Sequence, residues 1–263
     1  MSDPTGLPRI TLLTDFGTAD GYVAAIRGVI AGLAPHVLVE DASHEVAPGD
    51  LGAAAWALGN YWRFYPPGTI HLVVVDPGVG SDRRALAGRI DEQLFVAPDN
   101  GVLTRPLLEG ADVRIVAVEN RALMRETVAA TFHGRDLFAP AAAYLARGVP
   151  LEDMGPPVSD PVRLPELLPE RGPGSIRGSV VHIDRFGNLI TNIPGSWLIP
   201  GAHVRVGSND IGPLRSTYAD VATGRPLALI GSAGYLEISV RDGSAASRLW
   251  QERGSEVVVE RMG

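Results

Sequence analysis

Cysteine and lysine are both missing from this chain of 263 residues. Without cysteine there is no disulfide, no thiolate metal site and no Cys nucleophile. All 23 basic residues are Arg, so there is no Schiff-base amine and no P-loop lysine, which weighs against aldolase-type and most NTPase chemistry. No apolar run approaches the roughly 18 residues that would cross a bilayer. Basic blocks are absent too and the formal net charge is −7, so nucleic acid is not an expected partner. The six histidines, His36, His44, His71, His133, His182 and His203, contain no HExxH pair. The opening residues Met1-Ser-Asp-Pro-Thr-Gly have neither a basic nor an apolar signal-like stretch, so a cytoplasmic location without membrane association is the expectation.

What is present is an apolar share of 45%, ordinary for a globular protein, arranged in two different patterns. In the first half, short apolar runs alternate with helical spacing. Ile10–Leu13 reads as a strand, Val23, Ile26, Ile30 and Leu33 recur as on a helix, and His36–Glu40 reads as a second strand. Leu51–Arg63 then reads as a helix and His71–Val75 as a third strand, each a βα step of an α/β layer with a mainly parallel sheet. Repeated prolines between Gly155 and Gly174 restrict the chain and remove backbone donors, which marks a domain boundary. Beyond it, Val180–Ile183, Leu189–Asn192, Val204–Val206, Leu227–Ile230, Tyr235–Val240 and Glu256–Glu260 are short strand-like pieces, as in a small all-β barrel. The expected domains are residues 1–165, α/β, and residues 175–263, a β-barrel.

Ligands of open α/β sheets bind beyond the carboxyl ends of strands, so acidic residues placed there carry more weight than others. Asp15 follows the first strand, Asp76 follows Val73-Val74-Val75, and Asp184 follows Val180–Ile183. Asp is also favoured at such places as a turn former or helix cap, which accounts for any one of the three more readily than for all of them. Asp76 opens Asp-Pro-Gly-Val-Gly-Ser-Asp-Arg-Arg, a Gly-rich turn followed by Arg83 and Arg84. Such a turn can present backbone N–H groups and a guanidinium to a carboxylate or a developing anion. His133 sits in Thr-Phe-His-Gly-Arg-Asp before a helical stretch that ends near Gly148.

Taken in order, a series of segments resembles the S-adenosylmethionine hydroxide adenosyltransferases, hydrolytic relatives of the fluorinases and chlorinases. They are Thr14-Asp15-Phe16-Gly17, Ser43-His44-Glu45-Val46, Asp76-Pro-Gly-Val-Gly, Ala97-Pro98-Asp99-Asn100-Gly101, Thr131-Phe132-His133-Gly134-Arg135-Asp136, Asp184-Arg185-Phe186-Gly187-Asn188 and Gly234-Tyr235-Leu236-Glu237-Ile238. The resemblance implies an N-terminal α/β domain, a C-terminal β-barrel, and a homotrimer whose active sites lie between the N-terminal domain of one subunit and the C-terminal domain of the next. It implies attack of water at C5′ of S-adenosyl-L-methionine, giving adenosine and L-methionine, with no cofactor and no metal. By the same resemblance Asp76, Arg83 and His133 handle the water, Arg83 being preferred over Arg84 on family spacing alone. Asp15 matches the aspartate that chelates the ribose diol, where two carboxylate oxygens suit two hydroxyls. Asp184 matches the residue that pairs with the methionine ammonium, and Asn188 the one that reads the adenine edge. Phe186 and Tyr218 match aromatic rings against the purine, and Ser232 a hydroxyl at the methionine end.

Departures from the halogenase pattern favour water over halide. Asp76 stands where those enzymes have Tyr, and Gly134 and Val79 stand where they have Ser and Thr near the halide. A carboxylate and the loss of hydroxyl donors would repel an anion. Ala233, where the fluorinase has Arg, leaves the methionine carboxylate without that partner. The leaving group is a neutral thioether, so the reaction calls for an aligned nucleophile rather than a general acid. Two roles remain open for Asp76: proton acceptor, for which an ordinary carboxylate pKa of about 3.9 makes it a weak base, or orienting group for Arg83 and His133. Two other function classes compete: a metal-dependent phosphoester hydrolase with Asp15, Asp76, His133 and Asp184 as ligands, and a nucleoside or adenosylmethionine binding protein without turnover.

Overall fold

The protein is described here from a computed structural model over residues 6–260, and it divides into two compact units between Leu164 and Pro165. In the first unit the elements run β1 (Arg9–Thr14), α1 (Tyr22–Leu33), β2 (Leu38–Ser43), α2 (Leu51–Tyr61), β3 (Ile70–Val74), β4 (Ala85–Ile90), β5 (Gln93–Pro98), α3 (Thr104–Glu109), β6 (Val113–Ala117) and α4 (Ala139–Ala146). They form a six-stranded sheet in the order β2-β1-β3-β5-β4-β6. The first four strands of that order pair in parallel, and β4 runs antiparallel to both of its neighbours.

Alternation along the central strands explains why both sheet faces are covered. Ile10 and Leu12 of β1 and Leu72 and Val74 of β3 point into an apolar layer shared with Ile26 and Ile30 of α1 and the alanines of α4. Leu13 and Val73 point the other way, into a layer with Ala54 and Leu58 of α2 and Leu107 of α3. A parallel strand buried on both faces carries few polar side chains, and β3, Ile70-His71-Leu72-Val73-Val74, is buried throughout with His71 as its one polar residue. Asp50 caps α2, its side chain accepting the Ala53 N–H at 2.9 Å.

Two details differ from the sequence reading. The second strand begins at Leu38 rather than His36, because residues 34–37 are spent on the turn that leaves α1, with Val37 N–H donating to Ala34 O at 3.1 Å. The third step carries no helix; β3 leads through the Gly-rich turn into the β4–β5 hairpin, which closes over Asp91 and Glu92 with Asp91 at a left-handed φ of 52°.

The second unit contains β7 (Glu170–Arg171), β8 (Ser175–Ile183), β9 (Leu189–Pro194), β10 (His203–Val206), β11 (Asn209–Pro213), β12 (Pro226–Ile230), β13 (Tyr235–Val240), α5 (Ala245–Leu249) and β14 (Glu256–Glu260). Its sheet is antiparallel throughout, ordered β11-β10-β14-β8-β9-β13-β12 with β7 beside β8. A main-chain bond from Arg215 N to Ala228 O (2.8 Å) joins the chain just past β11 to β12, so the sheet closes nearly into a barrel. Inside it pack Ile176, Val180, Leu189, Val204, Leu236, Ile238, Val257 and Val259.

The Pro-rich stretch is shared out at the division. Its first part lies along β6, where Ala117 N–H donates to Pro156 O (2.8 Å) and Val158 N–H to Ile115 O (2.9 Å). Further on, Val162 N–H donates to Asp99 Oδ1 and Leu164 N–H to Thr104 Oγ1, both at 2.8 Å. An extended Pro-rich segment thus covers the edge strand of the first sheet, a position where missing N–H groups cost little.

Candidate active site

The order β2-β1-β3 means that the chain leaves β1 toward one side and returns on the other, which makes the gap at the carboxyl ends of β1 and β3 a topological switch point. Thr14 pairs with Val74 across that gap. Asp15 and Asp76 therefore hang from neighbouring strands at the same sheet end.

Asp76 and Arg83 form a close ion pair with side-chain exposures of 5% and 10%. Arg83 Nε donates to Asp76 Oδ1 at 2.9 Å and lies 3.1 Å from Oδ2, and Nη2 donates to Oδ2 as well. The same Nη2 is 2.9 Å from His133 Nδ1. A guanidinium has no lone pair to offer, so Nδ1 must be the acceptor, and in the neutral ring the proton then sits on Nε2. Burial first, and then the Arg83 charge, hold the His133 pKa below its ordinary value, which favours this neutral form.

Local folding makes that meeting possible. Residues 76–81 turn tightly, with Val79 N–H on Asp76 O and Ser81 N–H on Gly78 O. Gly80 has φ of 80°, and a Cβ there would lie 2.6 Å from Ala130 O, so only glycine fits. His133 precedes a π-helical turn, Gly134–Phe138, that leads into α4. Gly134 brings this turn against the end of β3; a Cβ there would stand 3.3 Å from Val74, Ile26 and Phe132 atoms.

The neighbouring Arg84 faces other partners. Its Nε donates to the buried Asp99 at 2.7 Å and its Nη1 to Asp160 at 2.8 Å. The motif Ala97-Pro98-Asp99-Asn100-Gly101 thus serves as a brace: Asp99 holds Arg84, and Asn100 Nδ2 donates to Val75 O at 2.9 Å, one residue before Asp76.

Asp15 lies near the Asp76 strand end without bonding to that trio. Its Oδ2 accepts the Gly49 N–H at 2.8 Å. Beneath it, Thr14 Oγ1 is 2.8 Å from His44 Nδ1, and Gly17 N–H donates to His44 O at 2.8 Å. His44, quoted in the sequence only as part of a motif, is the residue that ties down the Asp15 loop.

In the second unit Phe186, Asn188 and Tyr218 line one open pocket of about 830 Å³ together with Thr217, Arg241 and Ser244. Phe186 is 77% exposed, its ring open to solvent at this pocket. Asp184 shapes this loop: Oδ1 accepts the N–H groups of Phe186 and Asn188, and Oδ2 accepts Asn188 Nδ2, all at 2.9 Å. Asn188 is thereby oriented before any ligand arrives. Tyr218 donates its hydroxyl to Glu237 Oε1 at 2.6 Å, and Ser239 Oγ donates to the same oxygen at 2.7 Å. Burial, then Glu237, push the Tyr218 pKa up to about 12. Ser232 is exposed in the β12–β13 turn, outside that pocket. Sequence reading gave no role to Glu237 or Arg241, which both hold the turn at residues 218–221, 19 to 22 residues earlier in the chain: Glu237 through the Tyr218 hydroxyl and Arg241 through the carbonyls of Ala219 and Val221.

Among the described residues no three His, Asp or Glu side chains converge as a metal site requires, and no helix is long and apolar enough to cross a membrane. Both Asp76 oxygens face a guanidinium, which would compete with a cation.

Residues 10–155 match the model of the SAM hydroxide adenosyltransferase N-terminal domain, and residues 178–258 match that of its C-terminal domain. An (R)-S-adenosyl-L-methionine hydrolase of Thermus thermophilus is 42% identical over 257 residues, covering 94% of this chain and 98% of the relative. A fluorinase of an Actinoplanes species is 29% identical over 272 residues, covering 89% and 91%. Among solved structures, an uncharacterized conserved protein from Thermotoga maritima has a TM-score of 0.85 at 37% identity, over 96% of this chain and 100% of that one.

Proposed function

Because the chain belongs to the SAM hydroxide adenosyltransferase family, we propose that it hydrolyses S-adenosyl-L-methionine by attack of water at C5′, releasing adenosine and L-methionine. The (R) form of the sulfonium is the substrate suggested by the relative's name. One observation carries the reading: a single guanidinium, Arg83, holds a carboxylate and a neutral imidazole together at the switch point of the sheet.

Water is a poor nucleophile until its oxygen gains negative character, and fixed donors aimed at that oxygen stabilise the change. With Nδ1 occupied by Arg83, His133 can only donate, from Nε2. In this arrangement His133 is not the base. It supplies a hydrogen bond that strengthens as hydroxide character develops, while Asp76 orients Arg83 and is the remaining anionic acceptor for the water proton. The sulfonium carries its electron pair away as a neutral thioether, so no proton need be delivered to it. Alignment of water, C5′ and sulfur in one line supplies the rest, an effect worth roughly 7–11 kcal/mol in favourable intramolecular cases.

Asp15 is assigned to the ribose hydroxyls, and Phe186, Asn188 and Tyr218 to the adenine. Asp184 and Ser232 are assigned to the methionine end; the bonds Asp184 makes within its own turn support a shaping role there as well. We also propose a cytoplasmic homotrimer whose sites draw on two subunits, a reading supported by the resemblance to the family. No metal or cofactor is part of the proposed reaction.

Incubation with S-adenosylmethionine in ¹⁸O-labelled water, with chelator and without added metal, tests the reading by mass spectrometry. Labelled adenosine together with methionine is the expected result. Substrate that stays intact while bound to the protein overturns hydrolysis in favour of a binding function.

A further inference from the structure

Asp136 is fully buried, and its carboxylate is surrounded by donors from three places in the chain. Arg135 reaches it with Nε at 2.7 Å and Nη2 at 2.8 Å, Arg125 with Nη1 at 2.9 Å, and Ala129 with its backbone N–H at 3.0 Å. The main chain of the same residue is engaged too: its carbonyl accepts the Arg125 N–H at 3.0 Å and its N–H donates to Phe132 O at 3.2 Å. Both ends of the loop 125–132 are therefore tied to one side chain and its own peptide groups.

That loop packs against the segments that follow both aspartates of the switch point. Ala130 O fills the space where a Cβ on Gly80 would stand, so the loop rests directly on the Asp76 turn. Phe132 packs edge-on against Phe16, with ring centroids 5.9 Å apart, and Phe16 follows Asp15. Arg135, held by Asp136, lies over the Phe132 ring at 4.9 Å. His133 is the next residue along, and its ring must meet Arg83 within hydrogen-bonding range. Charged groups acting on His133 are Arg83, Asp76 and Asp136.

A buried carboxylate is costly unless its oxygens are filled, and here charge-assisted bonds fill them in fixed directions that apolar packing could not dictate. We infer that Asp136 is a positioning residue: by clamping the loop 125–132 it holds His133 with Nδ1 on Arg83 and Nε2–H available to the nucleophile. The inference rests on the role proposed for His133, and it concerns geometry that exists before substrate binds.

The test uses ¹⁵N spectroscopy of the histidine rings in the full chain without substrate, comparing the wild type with Asp136→Asn. The wild type is expected to show His133 as the Nε2–H tautomer alone. In the folded variant His133 is expected to show mixed tautomers, with kcat lowered on the order of 10- to 100-fold and KM within about threefold. A folded Asp136→Asn protein with the wild-type tautomer and unchanged kcat overturns the inference. Should that variant fail to fold, Arg125→Gln, which leaves the Arg135 fork in place, is read by the same criteria. A wild type that does not hydrolyse S-adenosylmethionine would remove the proposed reaction, yet the tautomer comparison would still decide the role of Asp136.

Discussion

Arg83 joins His133 to Asp76 through one guanidinium, with Nη2 at 2.9 Å from the imidazole Nδ1 and Nε at 2.9 Å from the carboxylate Oδ1. Only a planar fork can reach both partners from separate nitrogens; an ammonium is a single point of charge. Arg83→Lys is therefore expected to lower kcat by roughly 100- to 1000-fold, the scale of losing one preorganised donor, with little change in KM. Steady-state kinetics on a variant of unchanged circular dichroism checks it. A loss confined to KM would show that Arg83 binds substrate instead.

Tyr218 donates to a carboxylate that is only 6% exposed, and its phenol is pushed up to about 12. The folded state keeps this proton while the unfolded chain releases it near pH 10, so the associated stability is complete below pH 10 and declines from there toward 12. KM is expected to stay flat from pH 7 to about 10, and Tyr218→Phe to raise it a few-fold with kcat retained. A wild-type KM that already rises near pH 9 would contradict the assignment.

Gly80 combines a φ of 80° with a carbonyl 2.6 Å from where a Cβ would go. Gly80→Ala should cost about 1–3 kcal/mol of stability and reduce kcat as the Asp76 turn moves away from the loop 125–132. Urea titration and initial rates measure the two effects. An alanine variant as stable and active as the wild type would mean that the loop yields easily.

His71 is buried among Tyr61, Tyr65 and Phe95, with Nδ1 2.8 Å from Thr11 Oγ1, and burial pushes its pKa down to about 3 from 6.5. The unfolded chain binds a proton below pH 6.5 that the folded protein refuses. Stability present above that pH is therefore lost as pH falls toward 3, at no more than about 1.4 kcal/mol per pH unit from this group. Urea midpoints between pH 7 and 5 should fall more steeply for the wild type than for His71→Gln. Equal slopes would assign the acid sensitivity to other groups.

Much of this was readable from the residues alone, for identifiable reasons. β1, β3 and α1 announce themselves because the two strands are short, apolar-rich runs that stop at Asp15 and at Asp76-Pro77-Gly78, while Val23, Ile26 and Ile30 recur at helical spacing. The β4–β5 hairpin does not, since Gly88 and Arg89 interrupt β4 and its turn uses Asp91-Glu92 rather than a glycine pair. β11, Asn-Asp-Ile-Gly-Pro, has poor strand formers on both sides of Ile211 and is held by its partner β10 instead. At the site, the strand-end positions of Asp15 and Asp76 follow from pattern. The choice between Arg83 and Arg84 does not, because successive residues point to opposite sides and only the partners Asp76 and Asp99 tell them apart. Asp136 stands in a quoted motif, but its donors come from positions up to 11 residues away, a distance that spacing cannot interpret.

The switch-point geometry also works as a gauge. Asp15 and Asp76 leave adjacent strands whose pairing is fixed at Thr14 and Val74, and neighbouring strands of any sheet run about 4.8 Å apart. On the proposed roles, with Asp15 at the sugar and Asp76 facing the attacked carbon, the interval between the two groups rests on the backbone hydrogen bonds that join β1 to β3. On the same proposed roles, a substrate lengthened by one methylene between ring and sulfur is expected to keep its purine and diol contacts. Its electrophilic carbon would nevertheless fall beyond the mark, and a displacement of about 1 Å is enough to cost on the order of 100-fold in rate.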